Sequence, residues 1–441
     1  MALYPHLLID DIVAQASGKK ICVAYSGGVD SHVLLHLLAQ TNNHNLASVS
    51  AMYIDHGLND DSSLWAQHCA TVCAELQVDF KAIKVDVKGI DSLGMEAAAR
   101  QARYQAFEQY LTQDDCLLTA QHQQDQAETL LLQLLRGAGP KGLSAMAKNF
   151  ALGQLHVYRP LINCKQADVL SYANEHNLKW IEDPSNQDTR WNRNYIRHEL
   201  WPNIIKRWPS AAKTLSRSAE HCAEATELLD EIAQQDLYFL NLHADSESIV
   251  ISELLTLSSA RRNNLLRHFF SIKKLAMPSA INLQRIIDEI CLAKQDSEPL
   301  VEWKGVQIRR YQDSLYSMTT LSSHDVDKVI QLNSDESIEM ADDMQLVWLH
   351  NIGKGINKSL LNSRLSLRYR QGGERIKPQG SNHHSSLKHL FQRWLVPPWQ
   401  RQRIPLIFCE DRLIAVVGYC ISDDVAVDES TEGYLPVIKS R

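Results

Sequence analysis

Through the first half of the chain, short apolar runs alternate with longer stretches in which apolar residues recur every three or four positions. Residues 21–25, 46–54, 80–85, 116–120 and 155–159 read as strands, with helices near 30–40, 62–77, 95–112, 124–136 and 165–177. Such alternation predicts an α/β fold built on a doubly wound, mostly parallel sheet with helices on both faces. Ligands on sheets of this kind gather at the carboxyl ends of the strands. From about residue 209 the pattern changes to helix-length stretches such as Ala211 to Leu240 and Ser252 to Phe270, without strand punctuation. Residues 326–355 are acidic and polar, with Asp327, Asp335, Glu336, Glu339, Asp342 and Asp343, and read as a linker. The last stretch mixes short β-like runs, Ser366 to Arg370 and Leu413 to Tyr419, with a helix around 385–394. The expected organisation is a catalytic α/β domain over 1–210, a small helical domain over 211–325, the linker, and a compact α+β domain over 356–441.

Composition narrows the class. At 441 residues, with 22% charged and 44% hydrophobic positions, the chain reads as an ordinary soluble globular protein of two or three domains. No basic stretch leads into an apolar signal region and no run of 18 apolar residues occurs, so a cytoplasmic protein is expected. Nine cysteines without a C-x-x-C pair argue against a disulfide framework and against a zinc or iron–sulfur site. Cys69 and Cys73, four apart among apolar neighbours, belong on the buried face of one helix. The net charge of −7 gives no global reason to expect a polyanionic partner, but the distribution does. Nine Lys/Arg between Arg364 and Arg403 face one acidic residue, Glu374, so that this stretch carries +8 and the remainder −15.

The chemistry concentrates at Ser26-Gly27-Gly28-Val29-Asp30-Ser31, which follows the apolar run Ile21 to Tyr25 and opens the helix through Val33 to Leu38. A strand feeding a glycine-rich turn into a helix N-terminus exposes backbone N–H groups to an anion, and the two serines add hydroxyl donors. The expected ligand is a phosphate chain. No Gly-Lys-Ser/Thr end is present, so the loop differs from the P-loop. This S-G-G-x-D-S pattern resembles the loop of the N-type ATP pyrophosphatases, which split ATP into pyrophosphate and a transferable AMP.

Further segments add candidates. Gln121 to Thr129 follows the strand Cys116 to Ala120 and enters the helix Leu130 to Leu135. Its position makes Asp125, with Asp30, a candidate Mg²⁺ ligand, since Mg²⁺ takes one or two carboxylates beside phosphate oxygens. Asp125 and Glu128 in a first helical turn would equally stabilise the helix dipole. Gly137 to Gly142 formally matches G-x-G-x-x-G, but it follows a helix and contains Pro140, so it reads as a flexible loop in which Arg136 and Lys141 could touch substrate. Glu96 to Tyr104 reads as a helix with a Glu96–Arg100 pair, Arg100 or Arg103 facing either the pyrophosphate end of ATP or an RNA phosphate. Arg190, Arg193 and Arg197, spaced by three and four, would share one helical face on which Trp191 and Tyr195 could stack bases.

Taken in order, these segments resemble the tRNA(Ile)-lysidine synthetase family. The matching segments are Ser26 to Ser31, Glu96 to Tyr104, Gln124-Asp125-Gln126 through Met146, Arg159-Pro160-Leu161, Trp180 to Asn186 and Arg193 to Arg197. In the terminal region they are Gly372 to Arg375, Leu387-Lys388, Val396 to Trp399 and Arg403 to Leu406. One departure is Gln124, where the family often has aspartate. The resemblance implies ATP-dependent ligation of free lysine to C2 of the wobble cytidine in the CAU-anticodon isoleucine tRNA. The route passes through an adenylated tRNA, releases AMP and pyrophosphate, and changes decoding from AUG to AUA. It implies Mg²⁺ with ATP, catalytic roles for Asp30, Asp125 and Arg100, and a homodimer. Lysine's amine must lose a proton before attack, with Asp125, His122 and Asp55 as conceivable bases. Arg190, Arg193 and Arg197, with Arg368, Arg370, Arg375, Lys388, Arg401 and Arg403, are the expected tRNA contacts. Three rival readings are a thiolating tRNA enzyme using Cys116 or Cys164, a small-molecule amide ligase, and a non-catalytic tRNA-binding protein.

Overall fold

The computed structural model describes residues 4–440 apart from 17, 42–47, 58, 60, 90–93, 244, 295–296, 333–336, 341–343 and 362. The chain divides into two compact units, Met1–Glu231 and Ile232–Arg441.

The first unit opens with α1 (Pro5–Ala16), β1 (Lys20–Ala24), α2 (Val29–Ala39), β2 (Val49–Asp55), α3 (Ser62–Glu75) and β3 (Asp79–Lys84). It continues with α4 (Met95–Tyr110), β4 (Asp115–Leu118), α5 (Gln123–Leu135), α6 (Pro140–Leu143), β5 (Asn149–Leu152), β6 (Leu155–Tyr158) and α7 (Gln166–Glu175). The sheet order is β3-β2-β1-β4-β6-β5, parallel except where β5 returns against β6. Residues 46–47 of the second expected strand lie outside the described residues; β5 is a strand that local pattern did not mark.

Alternation along the strands divides the core into two layers. Ile21, Val23, Ala51, Tyr53, Cys116 and Leu118 pack with Leu34, Cys69, Cys73 and Val169 on one face. Cys22, Met52, Ile54, Leu117 and Val157 pack with Ala106 and Phe107 on the other. Cys69 and Cys73 are buried, as their spacing predicts. The chain leaves β3 and returns beside β1 as β4, so the loops after β1 and β4 splay apart and open a crevice at the carboxyl edge. Beyond α7 come α8 (Asn192–Tyr195), a π turn over Ile196–Leu200, α9 (Trp201–Arg207) and the long α10 (Ala211–Phe239).

The second unit corrects two expectations. Residues 211–325 hold helices, including α11 (Ile251–Leu254), α12 (Ser259–Ile272) and α13 (Ala280–Arg285), but also an antiparallel sheet in the order β7-β10-β9-β8. Its strands are β7 (Ser248–Val250), β8 (Leu300–Trp303), β9 (Val306–Tyr311) and β10 (Ser314–Thr319). The β8–β9 hairpin turns on Lys304 and Gly305, at φ 40° and 77°, as a two-residue turn between right-twisted strands requires. The expected linker contributes β11 (Ile330–Leu332), β12 (Ile338–Glu339) and β13 (Met344–Ile352), while Asp335, Glu336, Asp342 and Asp343 lie outside the described residues.

β13 is followed by β14 (Ile356–Asn357), α14 (Lys358–Leu361), β15 (Leu365–Arg368), β16 (Arg375–Ile376), β17 (Ser385–Ser386), α15 (Leu387–Arg393) and α16 (Pro398–Arg401). The chain ends with β18 (Leu406–Cys409), β19 (Arg412–Val416), β20 (Cys420–Ile421) and β21 (Glu432–Ser440). β13 pairs with β21 through nine residues. Its partner lies some ninety positions downstream, which is why an acidic local context concealed the strand. Within this unit Trp399 sits edge-on to Tyr311 and Tyr316 beneath the Arg309 guanidinium, joining α16 to the β9–β10 hairpin.

Candidate active site

The Ser26 loop is shaped by its own hydroxyls and by the chain behind it. Ser31 Oγ accepts from the Ser26 N–H at 3.2 Å and donates to the Gly28 carbonyl at 3.0 Å, with Ser26 Oγ 3.2 Å away. Gly27 has φ 80°, and a Cβ there would lie 2.7 Å from Ile181 Cδ1 and 3.0 Å from Cys69 Sγ. The Ile181 N–H donates to the Gly27 carbonyl at 2.9 Å. The Trp180 to Asn186 segment therefore braces the back of the loop. Gly28 caps α2 in extended conformation without a side-chain bond, so the N–H groups of Val29, Asp30 and Ser31 open the first turn toward the crevice.

Across that crevice the N-terminus of α5 carries a closed charge network. His122 and Asp125 form a reciprocal cap: the His122 N–H donates to Asp125 Oδ2 at 3.0 Å, and the Asp125 N–H donates to His122 Nδ1 at 3.4 Å. Accepting at Nδ1 leaves the proton of the neutral ring on Nε2, which faces Asp30 Oδ2 at 3.7 Å. Arg193 and Arg197 both donate to Asp125 Oδ1, at 2.9 and 3.0 Å. Arg197 also forks onto Glu128 with two bonds of 2.8 Å, and Arg193 Nε adds a third at 3.2 Å. The Glu128 side chain is fully buried. Burial acts to raise the Asp125 carboxyl, but His122, Arg193 and Arg197 outweigh it and hold it below the usual range. Burial pushes the Asp30 carboxyl up, against the pull of His122. Asp30 Oδ1 is buried without a hydrogen-bond partner.

This arrangement sorts the expected residues. Asp30 fits a divalent cation, because its orphaned oxygen stands beside the anion loop. Asp125 does not fit one, since its oxygens already accept from two guanidiniums and a backbone N–H; its place is in the first-turn cap. Gln124 Nε2 donates to Glu128 Oε1 at 3.1 Å, a position where an aspartate would repel the buried carboxylate. Arg193 and Arg197 turn inward to the carboxylates of α5. Arg190 precedes α8, pairs with Asp188 at 2.7 Å and is 88% exposed, so the three arginines share no helical face. Trp191 and Tyr195 are exposed.

Arg100 lies over the Tyr104 ring at 5.1 Å, and no ion pair with Glu96 forms among the described residues. Arg103 donates to His56 Nε2 at 3.4 Å. Burial, helped by Arg103, pushes His56 down to about 4. Asp55 Oδ1 accepts from the Gly57 N–H at 2.8 Å. Gly139 leads into α6 with Pro140 in its first turn, so the G-x-G-x-x-G stretch serves as a helix start. Cys116 is buried and its thiol pushed up to about 11, and burial also raises Cys164, neither of which suits a sulfur nucleophile.

In the second unit the expected tRNA contacts divide. Arg368 is tied to Ser366 Oγ at 3.0 Å and the Glu410 carbonyl at 2.6 Å, and Arg401 to the Val396 carbonyl at 2.9 Å and the Tyr311 hydroxyl at 3.1 Å. Arg403 donates to the Ser322 carbonyl, and the half-buried Arg370 lies 4.0 Å from Glu374. Arg368, Arg401 and Arg403 thus tie backbone carbonyls of their own unit. Arg375 and Lys388 are exposed, joined by Arg393 and His389, which the sequence reading did not single out. Among the described residues no helix is long and apolar enough to cross a membrane.

Comparison with known proteins matches three family models in order along the chain: the PP-loop domain over residues 6–204, the TilS substrate binding domain over 250–316, and the TilS substrate C-terminal domain over 365–437. The tRNA(Ile)-lysidine synthase of Coxiella burnetii is 40% identical over 420 residues, covering 95% of this chain and 93% of its own. That of Pectobacterium atrosepticum is 39% identical over 424 residues, covering 96% and 95%. Among solved structures, the U34-tRNA thiolase NcsA from Methanococcus maripaludis matches at a TM-score of 0.40 and 18% identity, over 51% of this chain and 85% of that one.

Proposed function

Since the chain belongs to the tRNA(Ile)-lysidine synthase family, we propose that it ligates free lysine to C2 of the wobble cytidine in the CAU-anticodon isoleucine tRNA at the expense of ATP. The observation that carries this reading is the ordered succession of the PP-loop domain and both TilS modules in one chain, at about 40% identity to lysidine synthases over nearly their whole length.

The cytosine C2 oxygen is a poor leaving group, so it attacks the α-phosphate of ATP, pyrophosphate departs, and lysine's ε-amine then displaces AMP. The Ser26 to Ser31 loop receives the phosphate chain: the first-turn N–H groups of α2 donate to its oxygens, and the serine hydroxyls hold the loop in shape. Asp30 is the residue that would hold Mg²⁺, which when bound neutralises charge on the phosphate oxygens. Arg100, without a carboxylate partner among the described residues, is available to a phosphate of either substrate. Of the three conceivable bases, Asp125 accepts at both oxygens and His122 at Nδ1, whereas Asp55 accepts at Oδ1 alone, from the Gly57 N–H; its second oxygen makes Asp55 the group proposed to take lysine's proton. Arg375, Lys388 and Arg393, each exposed, are the basic side chains proposed to meet the tRNA backbone. A homodimer, which family resemblance suggests, is checked by sedimentation.

The deciding experiment incubates the protein with radiolabelled lysine, Mg²⁺-ATP and the CAU-anticodon isoleucine tRNA, beside an Asp30→Ala control. Label in the tRNA that is lost in the control supports the reading; no label with verified substrates refutes it.

A further inference from the structure

A cleft of about 550 Å³ opens beside α4 and the β5–β6 hairpin, lined by Arg100, Tyr104, Met146, Phe150, Leu152 and Arg159, with a glutamine and three alanines between them. Its only charged lining residues are the two arginines. Arg159 is 3% exposed and held on every side: its Nε donates to Gln121 Oε1 at 3.0 Å, it donates to the Ala147 carbonyl at 2.5 Å, and Nη2 lies 3.5 Å from the Tyr104 hydroxyl. Its guanidinium lies over the Phe150 ring at 4.5 Å, and Tyr104 meets the same ring edge-on. Arg100 covers the Tyr104 ring at the mouth. The opposite wall is anchored to the charge network, because Gln126, next to Asp125, clasps the Met146 backbone with two bonds of 2.8 Å.

Aromatic faces interleaved with guanidiniums and free of acidic groups recognise a planar, anionic ligand, which is to say a nucleotide. The phosphate loop follows β1, whereas this cleft stands at the β6–β5 end of the sheet with β4 between them, so it is separate from the seat of the ATP phosphates. Building on the lysidine-forming reading above, we propose that the cleft receives an unpaired nucleotide of the tRNA anticodon loop. Phe150 and Tyr104 supply the stacking faces, Arg159 fixes them, and Arg100 meets the phosphate. The contact positions the neighbouring wobble cytidine at the phosphate loop.

The test measures binding of a fluorescent anticodon stem-loop RNA by anisotropy across a salt series, with ATP affinity measured in parallel. Phe150→Leu keeps apolar bulk and removes the stacking face; it should weaken RNA binding at least about fivefold with an unchanged salt slope. Arg100→Gln should reduce the slope by about 0.7, the share of one phosphate on a single strand. ATP affinity should hold in Phe150→Leu. If Phe150→Leu does not fold, the exposed Arg100→Gln carries the test. RNA affinity within twofold of the unaltered protein and an unchanged slope would overturn the proposal, as would a parallel loss of ATP affinity in Phe150→Leu. Lysine ligation by the unaltered protein separates the two readings: ligation with unchanged RNA binding in the variants overturns the cleft alone, whereas absence of ligation refutes the reading on which it rests.

Discussion

Replacing Arg197 with methionine isolates the charge network at the head of α5. The substitution keeps an unbranched apolar stem and removes three hydrogen bonds, two to the fully buried Glu128 and one to Asp125. Breaking a buried ion pair from one side costs about 3–5 kcal/mol, because the remaining charge is left without compensation. Arg193 keeps one bond to each carboxylate and Arg197 is itself 28% exposed, so the lower end applies, about 3 kcal/mol. For a unit of this size about 2–4 °C per kcal/mol follows, so the melting temperature should drop by about 6–12 °C. Thermal denaturation by circular dichroism measures it. Arg197→Met combined with Glu128→Leu should recover part of the loss, since the second change removes the stranded charge. A single variant that melts within 2 °C of the unaltered protein, or a double variant less stable than the single, would show that the arginine does not compensate the buried carboxylates.

Gly27→Ala should abolish lysine ligation and destabilise the first unit by about 2–4 kcal/mol, combining a left-handed φ of 80° with the 2.7 Å approach to Ile181; activity and melting are measured together. Arg375→Ala with Lys388→Ala should weaken tRNA binding and reduce its salt slope by about two, whereas Arg401→Ala should lower the melting temperature, losing its bonds to Val396 and Tyr311, and leave that slope unchanged. His56 is held near 4 when folded against about 6.5 unfolded, so as pH falls through that window the unfolded state binds the proton first and stability is lost; His56→Gln should flatten the stability profile between pH 6.5 and 4 in a melting series. Asp30→Asn should raise the melting temperature by a few degrees at pH 7, because burial disfavours the ionised form, and abolish ligation; a variant no more stable than the unaltered protein would contradict the upward shift of Asp30.

The first sheet was legible because each strand lies between a short apolar run and a periodic helix, so that local pattern and tertiary role coincide. β5 escaped notice because it is short and its burial alternates weakly, and its strand identity comes from the hairpin with β6. The sheet in the middle of the chain was hidden differently. β9 alternates in burial only in its last residues, and its β8–β9 turn rests on Lys304, a residue that seldom announces positive φ. The phosphate loop could be read from spacing alone, since its chemistry lies in backbone N–H groups that any S-G-G-x-D-S turn would present. The arginines could not. A count of Lys and Arg identifies charge and not direction, and only tertiary contacts show that Arg193, Arg197, Arg368 and Arg401 bind their own protein. The signal that was present is complementarity: carboxylates three apart at Asp125 and Glu128 match guanidiniums four apart at Arg193 and Arg197, as two helices meeting charge to charge require.

That complementarity explains why a loop built for anions can stand beside three carboxylates. Arg193 and Arg197 balance Asp125 and Glu128. Asp30, facing His122 at 3.7 Å, is the carboxylate of the three without a guanidinium bond, and it stands at the N-terminus of α2, where the helix dipole favours its charge and an approaching phosphate chain would not. On the proposed reading, a cation held by Asp30 would offset that charge against the phosphates, while the cap and both arginines already occupy the oxygens of Asp125 and Glu128. The network at α5 thus satisfies both oxygens of Asp125 and of Glu128 and leaves Asp30 Oδ1 as the carboxylate oxygen of the three without a hydrogen-bond partner.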